Sequence, residues 1–183
     1  LNLTIFKDKS LMFRSRGLAI SGPDIRLKTA TIPFHPIRSI DAVGTFMGSR
    51  LEFSPAAVDM PTNLSISFTP MMKIARGESI VVTLPDFTGE QKSQRVCSPA
   101  ICFQASWSPD AFELKIVFDE ALEREQAISI TVPRSFGLNL PADGITLNST
   151  SPKLSTTAVD GLVSEESFAS VQQVGIFYRT PTL

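Results

Sequence analysis

Few side chains in this sequence could carry chemistry: one histidine, two cysteines and eighteen carboxylates. His35 lies between Pro33-Phe34 and Pro36. A general base needs a nucleophile placed against the imidazole and a carboxylate to orient it. No Gly-x-Ser-x-Gly elbow accompanies this histidine, so it reads as structural. Zinc needs three or four His or Cys ligands, and the whole chain offers three such residues. No Asp-x-Asp-x-Asp-Gly loop is present for calcium. Asp41, Asp59, Asp143 and Asp160 lie near expected turns, where a short carboxylate favours the turn itself. Calcium held between repeated units is the other reading of those acids. Asp119, Glu120, Glu123 and Glu125 form an acidic cluster. Paired carboxylates can cleave a glycosidic bond, but these occupy a polar connection between two strands and read as a solvated loop. The residues therefore imply no catalytic group, no metal ligand set and no cofactor.

Cys97 and Cys102 are separated by four residues that include a proline. That spacing suits a small disulfide-closed loop joining two strands, stabilising by about 2 kcal/mol because the ring is short. The alternative is a pair of buried free thiols in a reducing compartment. A disulfide points to an oxidising one. Three sequons, at Asn2, Asn63 and Asn148, are glycosylation candidates of the kind found on secreted surfaces. Sugar-binding faces want exposed Trp or Tyr, and the chain has only Trp107 and Tyr178. Trp107 lies in Phe103-x-Ala105-x-Trp107, an alternating stretch that reads as core. Tyr178 is the other aromatic with a polar tip and, with Trp107, the possible ligand contact.

The elements that must position these residues are strands. Leu64, Ile66 and Phe68 alternate with polar residues, as do Phe112, Leu114, Ile116 and Phe118, and Ile128, Ile130 and Val132. Each is a half-buried strand with one inward face. Proline closes strands at Leu84-Pro85 and Val132-Pro133, where the missing N–H ends a ladder. The best helical candidates, 119–126 and 164–169, are at most a turn or two. The class is all-β, an antiparallel Ig-like, Greek-key β-sandwich. The 17 basic and 18 acidic residues leave a formal charge of −1, so there is no electrostatic footprint for nucleic acid. No apolar run approaches the ~18 residues of a membrane-spanning helix.

Two repeats organise the chain. Leu64-x-Ile66-x-Phe68 matches Leu114-x-Ile116-x-Phe118, and each is followed by a second alternating strand, then Pro (Pro85, Pro133) and Phe (Phe87, Phe136). In a Greek key, such a strand pair need not be a hairpin, since its connection can cross between sheets. A longer repeat relates Val43-Gly44-Thr45-Phe46 to Val174-Gly175-Ile176-Phe177, and Gly17 and Leu27 to Gly144 and Leu154. Its period near 130 residues implies a tandem array. The expected division is the closing strands of a preceding unit over 1–40, a complete sandwich over 41–170, and the first strand of the next unit, or an inter-subunit strand, over 171–183. Charge follows the first boundary. Residues 1–50 hold eight basic and three acidic groups, a net of +5, and the remainder nine and fifteen, a net of −6. The chain starts at Leu1 without Met or a signal-peptide pattern, as a piece of something longer would.

The stretch from Leu64 to Pro85, with Gly77-Glu78 and then Ile-Val-Val-Thr-Leu-Pro-Asp-Phe-Thr-Gly, resembles repeat units of very large surface proteins of unicellular eukaryotes, including algae. The run from Ile130 through Thr-Val-Pro-Arg-Ser-Phe-Gly-Leu-Asn-Leu-Pro-Ala-Asp-Gly resembles the close of the same unit. The resemblance spans about residues 43–160. It implies a structural or adhesive β-sandwich with copies of itself, neighbouring repeats or other assembly proteins as partners. Two rival readings are an organellar shell or lumenal accessory subunit, and a glycan- or protein-binding module.

Overall fold

A computed structural model describes residues 4–5, 11–12, 44–98 and 101–175. The chain divides into two compact units, Leu1–Asp41 and Ala42–Leu183. Of the first, the described part is a pair of two-residue strands, β1 (Thr4–Ile5) antiparallel to β2 (Leu11–Met12).

The second unit is a β-sandwich. Its strands are β3 (Phe46–Ser54), β4 (Asn63–Pro70), β5 (Ser79–Thr83), β6 (Lys92–Cys97), β7 (Cys102–Ser108), β8 (Glu113–Phe118), β9 (Ile128–Val132), β10 (Lys153–Thr156), β11 (Val163–Ser167) and β12 (Ser170–Val171). One sheet has the order β11-β10-β5-β8-β7-β6 and the other β12-β3-β4-β9. All neighbours are antiparallel except β12 and β3. Within the larger sheet β6, β7 and β8 form a meander, and β5 returns to lie beside β8, which is a Greek key.

Alternation decides which residues enter the core. Leu64, Ile66 and Phe68 of β4, Phe103, Ala105 and Trp107 of β7, and Leu114, Ile116 and Phe118 of β8 are all buried between the sheets. Phe112 departs from the expected pattern. It is exposed, with φ 54°, because β8 begins one residue later and Phe112 belongs to the turn that precedes it. Neither helical candidate forms even a turn of helix: 119–126 is an irregular connection, and most of 164–169 is strand β11. The one helical turn among the described residues is a 3-10 turn over Arg134–Phe136.

The short repeat proves to be the device that locks the sheets together. The β4–β5 connection passes from the smaller sheet to the larger, and the β8–β9 connection passes back. β4 then pairs with β9, and β5 with β8. Leu64↔Val132 and Ile66↔Ile130 correspond to Leu114↔Val82 and Ile116↔Ile80, every residue mapping onto its counterpart fifty positions away. Ile80 is thus equivalent to Ile130 and Val82 to Val132. The closing prolines, Pro85 and Pro133, are not equivalent positions, because pairing register and not strand length sets the match. The crossing connections meet where Ile74 and Leu122 exchange backbone bonds of 3.0 and 2.8 Å, both side chains buried.

The end of the chain closes the same sandwich as far as it is described. Val171 and Val174 are fully buried, and Val174 bridges Ile145.

Candidate functional site

The cysteines form a disulfide between the last residue of β6 and the first of β7. Ser98 N–H donates to the Ile101 carbonyl at 2.9 Å, so the adjacent Cys97–Cys102 pair is the non-hydrogen-bonded kind, in which backbones approach most closely. Their Cα atoms are 4.1 Å apart. Val96, Ile101 and Phe103 turn inward, while Cys97 is exposed on the outer face beside Arg95. Gln104 and Ser106, from β7, share that face: Ser93 and Ser106 hydroxyls lie 2.7 Å apart, and Gln104 Nε2 donates to Ser93 Oγ. The link therefore closes a surface hairpin.

Two of the three sequon asparagines are described. Asn148 is exposed in a loop, with φ 54°, and its Oδ1 accepts from Val171 N–H at 3.4 Å. Asn63 opens β4, half-buried, and its Oδ1 accepts from Arg134 N–H at 2.7 Å. Both bonds use the carbonyl oxygen, so neither occupies the Nδ2 atom a glycan would take. Asn2, His35, Asp41 and Tyr178 lie outside the described residues.

Trp107 is 2% exposed and its indole N–H donates to the Gly89 carbonyl at 3.3 Å. It offers no face to a sugar and acts as core. Of the acidic cluster, Asp119 pairs with Arg95, Glu123 with Lys73 and Glu125 with Arg124. The Lys73 ammonium, bonded to Glu123 at 2.7 Å, is held above its ordinary pKa chiefly by that hydrogen bond and then by the charge of the carboxylate. Asp59 sits at φ 52°, and Asp143 and Asp160 occupy turns, the local role expected of short acids. Among the described residues, no three His, Cys, Asp or Glu side chains stand close enough to hold a metal ion.

Two surfaces remain that sequence alone did not mark. One is a shallow groove of about 280 Å³ on the outer face of the smaller sheet, opened by a bulge in β3 and lined by Gly48, Arg50, Glu52, Ser67, Thr69 and Ala127. The other is the set of sheet edges. β6 carries Lys92 and Arg95, and β11 carries Glu165 and Glu166. β12 is two residues long. Beside it, the open side of β3 is covered by side chains: Glu166 Oε1 accepts from Phe46 N–H, Gln172 Oε1 from Phe53 N–H, and Ser49 Oγ from Ala169 N–H. β9, Ile-Ser-Ile-Thr-Val, has no charge and no proline. Edges are ordinarily guarded by charge, brevity or cover, and among the described residues β9 has none of the three. The guard is readable from sequence only once strand order is known.

No protein-family model, curated protein or solved structure gives a significant match to the chain. Its reading rests on its own geometry. Among the described residues no helix is long and apolar enough to cross a membrane.

Proposed function

We propose that the chain is a non-enzymatic structural or adhesive unit of a cell-surface or extracellular coat or fibre, working through strand-mediated contacts between units. The carrying observation is the Cys97–Cys102 disulfide on an exposed hairpin of a β-sandwich. A surface disulfide of this kind persists in oxidising compartments. The exposed sequon at Asn148 fits the same setting. Among the described residues every buried side-chain N or O atom has a hydrogen-bond partner, as in Thr156 Oγ1 to Ser79 O at 2.7 Å. Such satisfaction is what a well-ordered core requires. The tandem period near 130 residues belongs to this reading, as does the expectation of N-glycans.

Peptide mapping of native protein by mass spectrometry tests it. The expected map shows Cys97 linked to Cys102 and a glycan on Asn148. Free thiols together with unmodified Asn63 and Asn148 would overturn the extracellular placement and favour an intracellular shell or accessory subunit.

A further inference from the structure

We infer that the free edge of β9 is a self-pairing surface, and that its occupant is β9 of a second copy of this chain, antiparallel about Ile130. The inference rests on the structural role proposed above and names the edge that carries it.

The backbone parity is fixed by two hydrogen bonds. Glu125 N–H donates to the Pro70 carbonyl at 2.7 Å, so even-numbered residues of β4 turn toward β9. Met71 N–H donates to Thr45 O at 3.0 Å, so odd ones turn toward β3. The hydrogen-bonded pairs of the β4–β9 ladder are then Leu64↔Val132, Ile66↔Ile130 and Phe68↔Ile128. The N–H and C=O groups of Ser129 and Thr131 point away from β4. Among the described residues no backbone bond reaches them. A second β9 placed antiparallel with Ile130 opposite Ile130 sets Ser129 against Thr131 twice. All four outward groups of each copy are then used.

Chemistry favours a second copy over a charged partner strand. Like charges opposed across a ladder are destabilising. Self-pairing of β6 would bring Lys92 and Arg95 together with their own kind, and self-pairing of β11 would do so with Glu165 and Glu166. β9 brings only hydroxyls. Those hydroxyls already form a ladder within one copy, Ser65 Oγ to Thr131 Oγ1 at 3.2 Å and Ser67 Oγ to Ser129 Oγ at 3.1 Å. Pairing extends it across the joint. The flanks are complementary too. The connection entering β9, 119–126, holds four acids against Arg124, and Arg134 follows the strand. Antiparallel pairing carries Arg134 of each copy toward the acidic connection of the other.

Sedimentation velocity of the full chain over a concentration series reads this directly. Wild type is expected to dimerise with concentration. Ser129→Lys with Thr131→Lys, and separately Ser129→Glu with Thr131→Glu, are each expected to weaken self-association by about tenfold or more. An equimolar mixture of the two variants is expected to restore the dimer, because Lys then faces Glu at both positions. Circular dichroism and melting temperature check that each variant folds, the substituted side chains being exposed. A wild type that stays monomeric at every concentration overturns the inference, as does a dimer that survives both variants or a mixture that fails to recover it. A dimer insensitive to these changes would refute β9 as the edge while leaving the structural role standing. That role fails separately, on the peptide map.

Discussion

The Glu166 carboxyl lies half-buried on β11 and accepts the Phe46 N–H at 3.2 Å where β3 begins. Loss of solvation pushes its pKa above the ordinary carboxylate value, and the bond from Phe46 N–H opposes this only in part. A raised folded pKa means that the native chain holds more protons than the unfolded chain between the two values. Stability therefore falls as pH rises through that interval, and the penalty is fully present above it. Glu166→Gln keeps the acceptor and removes the charge. It is expected to raise the melting temperature at neutral pH, with the gap closing as pH falls towards 4.5 and absent below it. A lower melting temperature at neutral pH would show that the charge-assisted bond outweighs desolvation. At this scale the sequence was informative where side chains alternate: Trp107, read as core from Phe103-x-Ala105-x-Trp107, is core. It was uninformative for Glu166, because a charge in a polar strand gives no sign of which backbone N–H it will meet. Phe112 shows the complementary failure, an aromatic in perfect register whose backbone turns it outward at φ 54°.

Among the elements, β4, β8 and β9 were legible because each keeps period-two alternation, and β5 does so from Ile80 onward, Ser79 and Ile80 being buried in succession. β3 was not. Its bulge between Met47 and Arg50 shifts parity, so Phe46 and Ser49 are buried three residues apart while Leu51 and Phe53 resume the alternation. β6, Lys-Ser-Gln-Arg-Val-Cys, hides for another reason: an edge strand is polar, and only Val96 is buried. The entry to β3 also depends on a close backbone approach. A Cβ on Gly161, in the β10–β11 connection, would lie 2.9 Å from Gly44 Cα and 2.9 Å from Met72 Cβ. Gly44 N–H meanwhile donates to Leu162 O at 2.9 Å. Gly161→Ala must separate these backbones, and we expect it to cost about 1–3 kcal/mol, read as a lower urea midpoint. An unchanged midpoint would show that this connection yields without loss.

For the whole molecule, the sandwich follows from two reciprocal crossings that pin one sheet to the other at Ile74 and Leu122. The fifty-residue repeat in the sequence marks that device, although the prolines that close its second strands do not stand at equivalent positions in the register. The fold class was readable because alternation, proline and turn chemistry agree. Function was less so, since an assembly surface is made of backbone groups at an edge, and backbone groups leave no mark on residue type. The one mark here is negative: β9 alone among the longer edges carries no charge. The central claim, that this chain works by joining copies of itself, is tested most directly by amine cross-linking of native source material with mass spectrometry of the linked peptides. Lys73, Lys92, Lys115 and Lys153 are available on the second unit. A link between a lysine and the same lysine can arise only between two copies. Self-joining predicts such homotypic links at one or more of these positions. Links confined to single copies, with a native mass equal to one chain, would contradict it.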